Sequence, residues 1–234
     1  MIDVHIIKYN VNQKYFEQCL KSLETNKNIN IYIVDGYEKH IGKGRYDGYK
    51  KGTSKYVSKI DPDDYVVPGI YDKMLEFMEN YDTTENICGI YAWEEVVNED
   101  GTHKGYSSNY RKKWKRFDIK FETIPNNCII MKREYVEKYL DEIKNWKYRA
   151  DFILEQLIIL NGIWLTYPEI GYYWRHHSNN IHNSPEAISY NLHAADFIKH
   201  VFLARNFENG KRHWLSYPKS YKWYTENIDP SAKP

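Results

Sequence analysis

Three carboxylates, Asp61, Asp63 and Asp64, surround one proline in "SKIDPDDYVV", directly behind a β-rich run. Hard divalent cations such as Mg²⁺ or Mn²⁺ take oxygen ligands, and one or two carboxylates completed by substrate phosphates are their usual set. Like charges packed this closely are costly without a cation. Taken alone, these residues read first as a solvated turn, because Asp and Pro favour turns for local reasons. An EF-hand calcium loop is excluded, since its glycine and distal glutamate are missing. A further acid, Asp151, opens the apolar run "ADFILEQLIIL". A carboxylate there suits a general base, or a cap stabilised by the helix dipole and backbone donors. Arg175, His176, His177 and His182 form another group, in which an imidazole can ligate a metal and an arginine can grip a phosphate. They also suit a polar surface loop, and their spacing lacks the matched helical pair of a zinc site. In "YRKKWKRF", Arg111, Lys112, Lys113, Lys115 and Arg116 surround Trp114. Cations interleaved with rings fit a phosphate backbone with bases to stack on, or another anionic polymer. The same run is ordinary for a solvated loop.

These groups act together only if the elements carrying them converge. "VHIIKYN" and "INIYIVDG" are β-rich runs, and between them Phe16, Cys19, Leu20 and Leu23 recur at helical spacing, which makes a β-α-β unit. A third cycle follows: "GRYDGYKKGTS" is helical or irregular, "KYVSKI" is a strand, and "PGIYDKMLEFMENY" is a helix. Such alternation predicts a parallel sheet covered by helices, with the aspartates at the carboxyl end where open α/β folds place ligands. The second half adds strands at "ICGIYAWEEVV" and "NNCIIM" and a helix through Tyr135, Val136, Tyr139, Leu140 and Ile143. Next come the apolar helix at Asp151 and two strands in "IWLTYPEIGYYWRHH" broken at Pro168. Ser184-Pro185-Glu186 opens a last helix, with a capping hydroxyl and proline at its first position.

The order of these segments resembles the inverting nucleotide-sugar glycosyltransferases of family two, over roughly residues 2 to 185. "IIKYN" is similar to the opening strand under the nucleotide, "IVDG" to the second strand, and "GRYDGYKKGTSKYVSKIDPDD" to the Arg-rich helix, strand and Asp-x-Asp. "RADFILEQLIILNG" looks like the helix opened by the family's acidic dipeptide, with Ala150-Asp151 where Glu-Asp is usual. "IGYYWRHHSNNI" looks like the late aromatic strand. The resemblance implies a GT-A (Rossmann-like), mostly parallel central sheet flanked by helices, followed by a C-terminal helical and aromatic extension. It divides the chain into a transferase domain over 1–184 (nucleotide half about 1–97, acceptor half about 98–184) and a helix with a basic aromatic tail over 185–234. It further implies Mn²⁺ or Mg²⁺ held by Asp61, Asp63, Asp64 and His177. The nucleotide of a UDP-sugar would meet Tyr9, Asn10, Asp35, Arg45, Asp61 and Arg175. Asp151 would be the base, with Glu155 in reserve, and residues Arg111, Lys112, Lys113, Trp114, Lys115 and Arg116 would face the acceptor.

Lys+Arg 33 against Asp+Glu 32 predicts no polyanionic partner from global charge, which leaves local patches open. Three scattered cysteines give no disulfide framework and suggest a reducing, cytoplasmic setting, and no apolar run approaches a membrane span. Acceptors consistent with the pattern are a polysaccharide, a lipid-linked glycan, or phage DNA carrying 5-hydroxymethylpyrimidine bases presented by flipping. A sugar nucleotidyltransferase would need a glycine-rich loop after the first strand, and "KYNVNQKYF" has no glycine. A non-catalytic carbohydrate- or nucleic-acid-binding module is the alternative from another class.

Overall fold

A computed structural model of the chain describes residues 1–107, 127–178, 180 and 184–190, with 193, 194, 197, 198, 226 and 228. The basic run expected to face the acceptor, Arg111 to Arg116, and His182 lie outside the described residues.

Strand β1 (Ile2–Lys8) leads into helix α1 (Gln13–Leu23), whose first turn is closed by Asn12 Oδ1 accepting from Lys14 N at 2.9 Å. Phe16, Cys19 and Leu23 supply its buried stripe. Strand β2 (Ile29–Asp35), helix α2 (Ile41–Tyr49) and strand β3 (Tyr56–Ile60) complete the next cycle. Of "GRYDGYKKGTS", read as helical or irregular, residues 44–49 are helical and the rest is not, and α2 begins earlier, where the His40 side chain accepts from Lys43 N at 3.3 Å. A short β4 (Tyr65–Val66) and helix α3 (Ile70–Glu79) follow, then β5 (Ile87–Val97), β6 (His103–Tyr106) and β7 (Ile129–Lys132). Helices α4 (Arg133–Ile143) and α5 (Ala150–Ile158) precede β8 (Ile163–Arg175).

The sheet order is β2-β1-β3-β7-β5-β8-β4, with β6 alongside β5. Pairs β1–β2, β1–β3 and β5–β8 are parallel, while β3–β7, β5–β7, β5–β6 and β4–β8 are antiparallel. Parallel pairing thus occurs in two groups, β2-β1-β3 in the β-α-β half and β5–β8 in the second half. β7 enters antiparallel between the two parallel groups, so the sheet is mixed rather than parallel throughout. Strands β4 and β6 were not legible in the sequence: one has only two residues, and the other, "HKGY", has no apolar alternation. The break expected at Pro168 is instead a bulge inside one long strand, because Tyr167 pairs with Ala92 and Ile170 with Trp93, leaving Pro168 and Glu169 unpaired.

Alternation splits the core between the two sheet faces. Ile129 and Met131 of β7 join α4 and α5, whereas Cys128 and Ile130 join α1 and α3. The cap expected at Ser184 is present, its Oγ accepting from Ala187 N at 3.2 Å.

Candidate active site

Because β1 and β3 are parallel, their carboxyl ends open on the same side. Tyr9 and Asn10 leave one, and the Asp61–Asp64 loop leaves the other. Antiparallel pairing of β4 with β8 carries that loop across to Arg175 and His177. The result is a cleft of about 700 Å³ whose lining includes Tyr9, Asn10, Tyr37, Arg45, Asp61, Asp63, Asp151, Trp174 and His177. Asp35, at the end of the edge strand β2, is exposed and does not line the cleft.

Arg45 joins the two sides. It is 2% exposed, and it donates from Nη2 to Asp61 Oδ1 at 2.5 Å and from Nε to Asp151 Oδ1 at 2.8 Å. The helix is set for this by its first turn, where Ile41 N and Gly42 N donate to Lys147 O (2.8 Å) and Trp146 O (2.9 Å) in the α4–α5 connection. That same connection ends at Arg149, left-handed at φ 63°, which starts α5 and delivers Asp151. Arg45 and Asp151 are therefore positioned from one stretch of backbone. Burial alone would raise the Asp151 carboxyl, but Arg45 and Lys59 hold it below its ordinary value. It is 22% exposed, ionised at neutral pH and open to the cleft.

The aspartates of the loop have separate surroundings. Asp63 Oδ2 lies 2.8 Å from His177 Nε2. Asp64 is buried, and its oxygens accept from Tyr172 OH (2.7 Å) and Arg175 N (2.7 Å). Burial and then the neighbouring charges of Asp63 and Asp61 push the Asp64 carboxyl well up. Arg175 is 2% exposed and directs its guanidinium inward, from Nε to Asp63 O (2.9 Å), Nη1 to Glu99 O (2.7 Å) and Nη2 to Gln18 Oε1 (2.7 Å). It also lies over the Tyr15 and Tyr65 rings. The loop after it is fixed by Asn180, which accepts from His177 N at 2.6 Å and donates to Arg175 O at 3.2 Å. Glu155, the reserve base, is 3% exposed, lies one helical turn beyond Asp151 and does not line the cleft.

The fit to a divalent cation rests on donor chemistry. Among the described residues, no three of His, Cys, Asp and Glu form a group that could hold an ion. An oxygen of Asp63 and a nitrogen of His177 do meet at the cleft wall, which suits a cation that takes a few protein ligands and completes its shell from substrate phosphates. Sequence reasoning missed Lys59, Tyr15 and Tyr172. The signal for Lys59 was a lysine inside a short β-rich run; the tyrosines had none beyond a generally high tyrosine content.

Residues 36–140 match glycosyl transferase family 2. An uncharacterized glycosyltransferase of Methanocaldococcus jannaschii is 26% identical over 121 residues, 51% of this chain and 38% of that protein. The chain thus matches well under half the length of that relative. Among solved structures, S. aureus TarS 1-349 in complex with UDP aligns with a TM-score of 0.62 at 15% identity, over 96% of this chain and 78% of that one. The same protein in complex with UDP-GlcNAc gives 0.63 at 14%, over 92% and 75%. The structural alignments give the chain the GT-A fold, and its residues 36–140 resemble glycosyl transferase family 2. The matched segment runs from the residue after β2 into α4 and so contains Arg45 and all the aspartates of the loop, while Asp151 lies beyond it.

Proposed function

We propose that the chain moves a sugar from a UDP-sugar to an acceptor hydroxyl with inversion at the anomeric carbon. The observation that carries this reading is Arg45, which bridges Asp61 on the strand-end loop to Asp151 on α5 across a cleft wide enough for a nucleotide sugar. UDP as the donor nucleotide is supported by the UDP and UDP-GlcNAc held in the TarS structures. Tyr9, about half exposed after β1, offers its ring to the uracil, with Asn10 beside it and Asp35 at the end of the neighbouring strand.

Asp63 and His177 would hold Mn²⁺ or Mg²⁺. Such a cation, when bound, neutralises the departing diphosphate. Arg45 and Asp61 order the donor side, and Arg175 braces the Asp63 backbone rather than reaching phosphate. Asp64 holds the loop to β8. The Asp151 carboxylate accepts the proton of the acceptor hydroxyl; the freed oxygen bonds to the anomeric carbon, and UDP leaves with the electrons of the broken bond.

Thermal unfolding with UDP, with and without Mn²⁺, tests the reading. At about 100 times its Kd, UDP adds about 2.7 kcal/mol of stability. The gain should require the metal and vanish in Asp63→Ala. Asp151→Asn should retain it while UDP release from the UDP-sugar falls about 100- to 10,000-fold. An absence of response to UDP or any nucleotide sugar overturns the assignment.

A further inference from the structure

Lys59 is a buried cation beside the cleft that the reaction as described does not use. It belongs to β3, every residue of which is buried, and is itself 3% exposed. A buried ammonium in the middle of a sheet is expensive, and a well-packed apolar residue is commonly as stable there. What distinguishes the site is its neighbours. Lys59 Nζ donates to Asn127 Oδ1 at 2.8 Å and lies 3.7 Å from Asp151 Oδ2 and 3.8 Å from Glu155 Oε1.

The charges around Asp151 come from several elements: Arg45 and Tyr49 from α2, Lys59 from β3, Asp61 from the loop beyond it, and Glu155 from α5 itself. The carboxylates Asp61, Asp151 and Glu155 thus share two cations. Burial pushes the Glu155 carboxyl well above the ordinary range, whereas Arg45 and Lys59 hold the Asp151 carboxyl below it, so of the two acids on α5 it is Asp151 whose charge these cations favour. Arg45 meets Oδ1 and Lys59 faces Oδ2, which defines the carboxylate plane from both sides.

We propose that Lys59 is a positioning residue for transfer: anchored by Asn127 beneath the cleft, it fixes and electrostatically supports the Asp151 carboxylate. This rests on the reading of Asp151 as the base. The geometry also separates the two cations by task, because Arg45 is shared with Asp61 on the donor side whereas both ion-pair partners of Lys59 lie on α5.

The test uses the ligand-free chain with ¹³C-labelled aspartate carboxyls, Asp151 being assigned by the loss of its signal in Asp151→Asn. Lys59→Met should raise the Asp151 titration midpoint by about one pH unit or more, leave the midpoint of the exposed Asp100 in place, and be reversed by Lys59→Arg. Should Lys59→Met fail to fold, Lys59→Met with Glu155→Gln removes the stranded acid and carries the same measurement. An Asp151 midpoint unchanged in a folded variant, or one that moves together with Asp100, overturns the proposal. Full sugar transfer by Asp151→Asn would instead overturn the base reading while leaving the Lys59 to Asp151 coupling measured.

Discussion

At the scale of single residues, the chain carries its charges in pairs with opposite tasks. Asp151 is ionised but open to the cleft, whereas Asp3 is sealed within the sheet's end, accepting from Arg133 Nη2 at 2.6 Å, Ser54 Oγ at 2.7 Å and Asn30 Nδ2 at 2.9 Å. Burial would raise the Asp3 carboxyl, yet these donors hold it below its ordinary value. A carboxylate with a depressed folded-state pKa adds stability that is complete above the unfolded value, about pH 4, and lost as pH falls through the folded value. Asp3→Ala strands the Arg133 guanidinium and should cost about 3–5 kcal/mol in urea unfolding at pH 7. The difference from wild type should shrink below pH 4. A cost that does not change with pH would assign the effect to packing alone.

At the scale of elements, the decisive contact is helix α2 against the α4–α5 connection. Gly42 makes it possible: a Cβ there would come within 2.1 Å of Ile143 O and 2.4 Å of Trp146 O. Backbone carbonyls cannot move aside as a flexible side chain can. Gly42→Ala should therefore tilt α2 away and cost about 1–3 kcal/mol or more. It should also lower sugar transfer beyond what the stability loss explains, because Arg45 lies one turn further along the same helix. Gly48→Ala is the control, since its Cβ would meet only side-chain atoms at 3.5 Å or more. Equal transfer by the two variants would separate α2 placement from the chemistry.

At the scale of the whole molecule, the mixed sheet divides the labour. Parallel β1, β2 and β3 form the side we propose for the nucleotide, while the long β5–β8 pair brings Trp174 and His177 to the opposite wall. No described helix is long and apolar enough to cross a membrane. The acceptor we propose is an anionic polymer, supported by the cation and ring pattern of residues 110–117. Incubation with a UDP-sugar and either a phosphate-linked glycan or DNA containing 5-hydroxymethylcytosine should add one sugar mass to the glycan only. Addition to the DNA would move the assignment to the base-modifying alternative, and Ala at Arg111, Lys112 and Lys113 should weaken whichever acceptor is used without altering UDP binding.

Much of this was legible from residue order. Hydrophobic periodicity marked β1, α1, β3, α3, β5 and α5, since burial of one face imposes its period on the sequence, and the same reading put Asp61 and Asp63 at a strand end. What periodicity cannot carry is the partner of a polar group. Arg175 and Asp64 looked free for phosphate and metal, but a fold that brings β8 against β4 gives them each other. Lys59 went unread in the strand until α5 placed Asp151 and Glu155 beside it. The sequence by itself determined the α/β order and the family pattern, because local propensity and burial are written residue by residue. Tertiary structure decided which charges face the cleft and which brace it, because those contacts join residues about a hundred positions apart.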